Sequence, residues 1–253
     1  MYYDNASSQF LCGEGGYWIA CGSSPANHNY DLYDEFMYGN SGSLATGAIG
    51  IGQLNWTNSL IGVPTETYSY NTTGGNSPAA DANRPGILDI EQTGSGNSTG
   101  ATMSLGTGSM LLGTSKVDVT TAVNITGNNM TVLWGLDNET TATTAPTTGI
   151  YWKETGNGTW QYCYINATPA ETCANSAATA TAGTWFRLEI DIVSSSEIDF
   201  FVNGTKTAVT GITYNTTNRV APAYNTYKTT GVNNTLDLYI DYFELRGITS
   251  TAR

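Results

Sequence analysis

Apolar and polar residues alternate in short runs along this chain, and each run is closed off by Gly, Asn, Ser or Thr. A period of two places one face of an extended strand in a core and the other in solvent, whereas no stretch sustains the 3.6-residue period of a helix. The clearest run is WFRLEIDIV (185–193), which places Phe186, Leu188, Ile190 and Ile192 on one face and Arg187, Glu189 and Asp191 on the other. In EIDFFVNGTKTAV (197–209), Asn203-Gly204 separates two strand-like runs, the signal of a type I′ hairpin. In LDLYIDYFELRG (236–247), Leu236, Leu238 and Ile240 share a face, and the alternation changes phase at Asp241-Tyr242, which predicts a bulge or burial of both faces. Further strands are predicted at 31–38, 51–56, 85–90, 101–105, 115–119, 130–136, 149–154 and 160–165, with surface loops at 93–101, 140–148 and 174–183. So many short strands with turn chemistry between them predict an all-β, antiparallel sandwich or barrel.

With 253 residues the chain is long enough for one large sandwich and a small appendage. Its net charge of −12 comes with no basic stripe. Nucleic-acid binding and attraction to an anionic membrane surface both need clustered Lys and Arg, so neither is expected. No apolar run reaches the length of about 18 residues that a spanning helix needs, so no membrane insertion is expected. The start, MYYDNASSQF, does not read as a signal peptide.

Cys12 and Cys21 are close in sequence, as are Cys163 and Cys173. Neither spacing is a zinc knuckle, and the single His28 offers little help to a metal. Of the three possible pairings, the two local ones, Cys12–Cys21 and Cys163–Cys173, are the simplest; the alternative is four unbridged thiols. Each local bridge is worth about 2.5–3 kcal/mol in the chain-entropy model and points to an oxidising compartment. Asn-x-Ser/Thr sequons stand at Asn5, Asn55, Asn71, Asn97, Asn124, Asn129, Asn138, Asn157, Asn166, Asn203, Asn215 and Asn233, more than composition yields by chance. They are read as glycan acceptors on a glycoprotein, against a plain bias in Asn and Thr.

A boundary is expected where GSSPANHN (22–29) interrupts the pattern. It divides a small Cys-stapled β module (1–24) and a linker (25–29) from the sandwich (30–247) and a tail (248–253). The module carries Tyr2, Tyr3, Phe10, Tyr17, Trp18 and Ile19, a dense apolar load on a piece too small to bury it alone. These residues are the candidate assembly contacts, against the module's own sandwich or a neighbouring subunit.

The order YDEF (33–36), IGQLNW (51–56), PGILDI (85–90), GIYWKE (149–154), WFRLEI (185–190), VNG (202–204) and IDYFEL (240–245) resembles concanavalin A-like jelly-roll domains of phage and virus structural proteins, of the tail-fibre or capsid-decoration type. The similarity spans roughly 30–247. The N-terminal YYDNASSQFLCGEGGYWIAC (2–21) also looks like a short module of tail-fibre-like and bacterial surface proteins. The resemblance implies a jelly-roll sandwich and a structural, non-enzymatic subunit of a virion or extracellular appendage, displayed at the surface. Its partners would be copies of itself or a shaft or shell protein. The alternative is a glycan-binding receptor or adhesin module that meets a cell-surface glycan.

Chemistry-bearing patterns are sparse. EIDIVS (189–194) resembles the E-x-D-x-x-E strand of retaining glycoside hydrolases with the same fold, in which two carboxyls stand about 5 Å apart. Ser194 occupies the place of the acid/base Glu, so Glu189 and Asp191 are expected to be a solvated strand face and the protein not to be an enzyme. No Ser-His-Asp set or phosphate loop is present, and no cofactor is called for. Calcium ligands could come from Asp237 and Asp241, or from Asp89 and Glu91, but solvated strand faces are the plainer reading. Asp199 and Asn203 faintly resemble a legume-lectin calcium strand, though Asn203 is better explained as a turn residue. Trp152, Tyr162, Tyr164 and Phe201 are the candidate aromatic platform for a sugar, against core or inter-subunit packing, the commoner place of aromatics on strands.

Overall fold

The computed structural model describes residues 2–4, 9–14, 17–20, 28–36, 49–61, 66–70, 86–92, 100–106, 108, 110–112, 115–127, 129–138, 146–156, 158–165, 170–213, 219–228 and 236–249. Side chains are described from residue 31 onward, except at 49, 60, 61, 66–70, 115, 248 and 249. Among these residues every regular element is a strand. Three of them, β1 (Tyr2–Asp4), β2 (Gln9–Glu14) and β3 (Tyr17–Ala20), pair in that order as a small antiparallel sheet. The chain continues through β4 (His28–Asp34), β5 (Ile49–Ile51), β6 (Trp56–Ile61), β7 (Glu66–Tyr70), β8 (Leu88–Gln92) and β9 (Gly100–Ser104). Then come β10 (Met110–Leu111), β11 (Ser115–Ile125), β12 (Met130–Asp137), β13 (Gly149–Glu154), β14 (Thr159–Ile165) and β15 (Glu171–Thr179). The last are β16 (Trp185–Ser194), β17 (Glu197–Val202), β18 (Thr205–Thr210), β19 (Arg219–Lys228) and β20 (Leu236–Thr249).

Two sheets make the sandwich. A nine-stranded sheet runs β15-β14-β13-β12-β19-β9-β6-β5, with β10 beside β19. An eight-stranded sheet runs β18-β17-β16-β11-β20-β8-β7, with β4 on the far half of β20. The inner faces meet through Trp134, Trp152, Trp160 and Tyr224 of the first sheet and Phe186, Ile190, Phe200 and Phe243 of the second, all buried. Rings cross the gap edge to face: Trp152 on Phe200 at 5.5 Å and Trp56 on Phe243 at 4.8 Å. Such aromatics bury more apolar area per residue than any aliphatic, which lets a chain poor in Leu and Val still hold two large sheets together. The fold is an all-β antiparallel sandwich, one of the two architectures the alternation predicted, and of the jelly-roll kind that the resemblance implied.

Most predicted strands are present, and the hairpin forms at Asn203-Gly204, where both residues take the positive φ of a type I′ turn (49° and 78°). The bulge forms too: Ala122 of β11 faces Tyr242 and Val123 faces Ile240, so Asp241 is the extra residue. Other expectations need correction. IGQLNW is not one strand: β5 ends at Ile51, Gly52–Asn55 turn, and β6 begins at Trp56. The turn is held by Asp34, whose Oδ1 accepts from Phe36 N (2.8 Å) and whose Oδ2 accepts from Leu54 N and Trp56 Nε1 (both 3.0 Å). A Cβ on Gly52 would stand 2.2 Å from Asp34 Oδ2, so only glycine passes there. The Ala/Thr-rich stretch after Cys173 is no loop but the outer strand β15, held to β14 by the Cys163–Cys173 disulfide between directly opposed residues. Strand β4 begins at His28, inside the expected linker, and β20 runs on to Thr249, inside the expected tail. The side chains of Tyr2, Tyr3, Phe10, Tyr17, Trp18 and Ile19, and the expected Cys12–Cys21 bridge, lie outside the described residues.

Candidate functional site

The outer face of the eight-stranded sheet gathers most of the chemistry. Because β4, β20, β11, β16 and β17 are in register, their outward residues form rows across the sheet. One row reads Tyr33, Glu244, Thr120, Glu189, Phe201; the next reads Asp31, Arg246, Asp118, Asp191, Asp199. At about 4.8 Å per strand, each row spans about 19 Å. The inward residues of the same strands, among them Val119, Leu188, Ile190 and Phe243, are core, so the alternation of sequence delivers this face directly.

Two tyrosines flank the carboxylates. Tyr33 is 47 % exposed and its ring stacks on Tyr242 at 6.3 Å with 30° between planes. Tyr33 Oη donates to Glu35 Oε1 (2.8 Å), and Arg187 Nε donates to Tyr242 Oη (3.2 Å). Arg187 also pairs with Glu189 (2.9 Å), Lys206 with Asp199 (2.5 Å), and Arg246 with Glu244 and, at 3.8 Å, with Asp31.

The carboxyls here are not ordinary solvated acids. Burial raises Asp118 above the usual carboxylate range, against the opposing pull of Thr120, Arg246 and Arg187. Burial also raises Glu189, helped by the charge of Asp118 and opposed by Arg187. Asp191 is raised by burial and by the charges of Asp118 and Asp199. A carboxyl raised in the folded state binds more protons there than in the unfolded chain. Its contribution is therefore most favourable at or below the unfolded pKa of about 4 and is lost as pH climbs through the folded value. Urea unfolding is expected to show stability falling from mildly acidic to neutral pH, and Asp191→Asn is expected to flatten the fall. A stability that rises over that interval in the wild type, or an unchanged slope in the variant, would contradict this account.

Other expected site residues are distributed differently. Trp152 is fully buried, packs on Phe200 and Tyr162, and donates from Nε1 to the carbonyl of Glu189 (3.1 Å). It is a core residue, not a platform. Tyr162 and Tyr164 pack against the same core from β14, and only Phe201 of the four stands on the acidic face, half-buried. The tyrosine pair went unnoticed in sequence because Tyr33 and Tyr242 are brought together only by β4 pairing with β20. Asp89, Glu91 and Asp237 bring their carboxylate oxygens within 4.8 Å of one another, joining one residue of one expected calcium pair to both of the other. Tyr239 Oη (3.1 Å) and Thr126 Oγ1 (3.3 Å) already donate to Asp237 Oδ2. Asp241 is the bulge residue and is not part of that group. Asn203 holds a turn, accepting from Arg187 N at 2.9 Å, and Asp199 is held by Lys206.

Among the sequons, Asn55, Asn138 and Asn203 are exposed and Asn129 is half-buried. Asn124 is 3 % exposed on β11, so it cannot accept a glycan in the folded protein. Asn5, Asn71, Asn97, Asn157, Asn166, Asn215 and Asn233 lie outside the described residues. No helix among the described residues is long and apolar enough to cross a membrane. The formed Cys163–Cys173 bridge fits an oxidising compartment.

No protein-family model matches this chain, and no curated protein matches it. Solved structures do. A protein of unknown function, SO2946 from Shewanella oneidensis MR-1, aligns over 89 % of both chains at 14 % identity with a TM-score of 0.57. The β-glucanase of Bacillus licheniformis aligns over 85 % of this chain and 97 % of its own at 14 % identity (TM-score 0.49). A carbohydrate esterase, vb_24B_21, from the Shiga toxin-encoding bacteriophage phi24B, aligns over 84 % of this chain and 98 % of its own at 12 % identity (TM-score 0.45). The expectation that this protein is not an enzyme is corrected. The exclusion rested on Ser194 within one strand, whereas the sheet sets Asp118 of β11 directly opposite Asp191 of β16, a second carboxyl that a single-strand reading could not see. At these identities the likeness to SO2946 establishes the jelly-roll sandwich itself.

Proposed function

We propose that the protein is a carbohydrate-binding module displayed outside a cell, as the receptor-contacting part of a virion or extracellular appendage, and that it binds glycan on the outer face of the eight-stranded sheet. The observation that carries this reading is the row from Tyr33 to Phe201. It has an exposed, stacked tyrosine at one end, a half-buried phenylalanine at the other, and Glu244, Thr120 and Glu189 between them. Sugars are recognised by an aromatic surface against their C–H faces and a few convergent polar groups for their hydroxyls. Tyr33 and Phe201 supply the first and Glu244 and Glu189 the second, with Thr120 buried between them, over a length suited to an oligosaccharide. The oxidised Cys163–Cys173 pair and the sequons support the extracytoplasmic setting.

A glycan array followed by titration of the best ligand tests it. Tyr33→Ala and Phe201→Ala are each expected to weaken binding about five- to tenfold, the worth of one aromatic contact, without changing the melting temperature appreciably. Product release from the same ligand, compared with Glu189→Gln and Asp191→Asn, decides whether the face also turns its glycan over. Binding indifferent to both aromatic substitutions, or no glycan bound at all, would sink the proposal.

A further inference from the structure

The nine-stranded sheet ends in an open edge at β15. Residues 171–175 pair with β14 in regular register, and Cys163 and Cys173 stand directly opposite with their Cα atoms 4.2 Å apart. That short separation marks a pair that exchanges no hydrogen bonds across the ladder, so the N–H and C=O of Cys173 point away from β14. The two-residue period gives Glu171 and Asn175 the same orientation. Three donor–acceptor pairs therefore line the outer edge, and no backbone group among the described residues meets them. The edge is also uncovered, since Glu171, Ala174, Asn175 and Ala177 are exposed. Beyond Asn175 the ladder breaks, with residues 176–178 standing against Trp160, so the regular edge stops there.

Strand edges are commonly blunted by short length, bulges or lysine. β5 is short and irregularly paired, and β18 carries Lys206. The 171–175 edge has no Lys and no Pro, and its one acid, Glu171, is held by Lys153 (2.8 Å) and by Tyr151 Oη (2.5 Å). In a chain of net charge −12 it is a near-neutral edge on which copies approach without strong repulsion. We propose that 171–175 pairs antiparallel with the same segment of a second copy, about a twofold axis at Cys173. The pattern is self-complementary: Cys173 meets Cys173, each Glu171 meets Asn175 of the other copy, and the outward N–H and C=O groups of the two edges satisfy one another. Asn175 Oδ1 already accepts from Gln161 Nε2 (2.8 Å), which leaves Asn175 Nδ2 to donate to the opposing Glu171 carboxylate. The Cys163–Cys173 bridge holds the strand extended before it pairs, so little ordering is left to the encounter. A twofold axis through a continuous sheet runs normal to it, so both eight-stranded sheets lie on the same side of the pair. Resting on the carbohydrate reading, both glycan faces then look the same way and engage a coated surface together.

Sedimentation equilibrium of the full chain over a concentration series is expected to give a mass twice that of the chain. Asn175→Asp sets like charges directly opposite at both Glu171 contacts and is expected to weaken the dimer about tenfold. Asn175→Lys sets opposite charges there and is expected to hold at least as tightly as wild type. Position 175 is exposed, so both variants are expected to fold, which circular dichroism checks. Hydrogen exchange is expected to be slow at the amides of Glu171, Cys173 and Asn175 in wild type and fast in Asn175→Asp. Wild type is expected to leave a glycan-coated surface about a hundredfold more slowly than Asn175→Asp. A monomer throughout the series, a dimer indifferent to both substitutions, or a dimer whose three amides exchange freely would overturn the interface. A dimer that the aspartate weakens but that binds no glycan would overturn the carbohydrate reading alone and leave the interface standing.

Discussion

Asp34→Ala is expected to cost about 3–5 kcal/mol of stability and to lower the melting temperature by about 10 °C or more. Asp34 is fully buried, and its two oxygens serve three donors: the amides of Phe36 and Leu54 and the indole of Trp56. Among the described residues only the Phe36 amide has a second acceptor, Gln53 Oε1 at 3.1 Å. Alanine would leave the Leu54 amide and the Trp56 indole buried without a partner, and each orphaned donor costs about 1–3 kcal/mol. It would also release the Gly52–Asn55 turn, which seats Trp56 against Phe36, Tyr224 and Phe243. Asp34→Asn keeps one acceptor oxygen and should fall between wild type and alanine. Denaturant unfolding of the three proteins measures this. An alanine variant within about 1 kcal/mol of wild type would show that water satisfies those donors and that the hub is dispensable.

The second large effect is expected from Trp152→Ala, at about 3–5 kcal/mol, the usual cost of emptying a buried tryptophan site. Trp152 fills the space between the sheets against Phe200 and Tyr162, and its indole N–H donates to the carbonyl of Glu189. It therefore ties the nine-stranded sheet to the backbone of β16 at the position whose side chain stands on the acidic face. Trp152→Phe retains most of the apolar volume and loses the hydrogen bond, so it should cost clearly less than alanine. In the phenylalanine variant, glycan affinity is expected to fall more than stability does, because the Glu189 carbonyl is no longer held from below. Equal losses in the two variants would show that the hydrogen bond, and not the volume, carries the contact. Affinity unchanged in Trp152→Phe would show that the position of β16 does not depend on it.

Both residues show why motif order was legible in the sequence while its meaning was not. YDEF and IGQLNW were visible as successive short motifs. That Asp34 of the first closes the turn inside the second is a hydrogen-bond relation across twenty residues, which no periodicity encodes. Trp152 stands among the platform candidates in the sequence because alternation says which residues share a face but not which face is covered. GIYWKE alternates equally well in either orientation, and only the second sheet decides that Trp152 points inward. The Ala/Thr-rich stretch after Cys173 read as a loop because its own propensities are weak. Ladder pairing with β14 and the disulfide make it a strand.

What the sequence determined alone was local and periodic: an all-β chain, the inward set Phe186, Leu188, Ile190 and Ile192, the turn at Asn203-Gly204 and a change of phase at Asp241-Tyr242, which the strand pairing resolved into a bulge. These follow from backbone geometry and a two-residue repeat, which act within a few residues of their cause. The tertiary structure alone decided strand order and register, and with them the candidate site. Asp118, Asp191 and Asp199 are distant in the chain and adjacent only because β11, β16 and β17 pair as they do. Tyr33 reaches Tyr242 only because β4 lies along β20. A site assembled from one residue per strand leaves no spacing for a sequence to reveal, since each strand shows only its own alternation and the charge pattern exists only across the sheet.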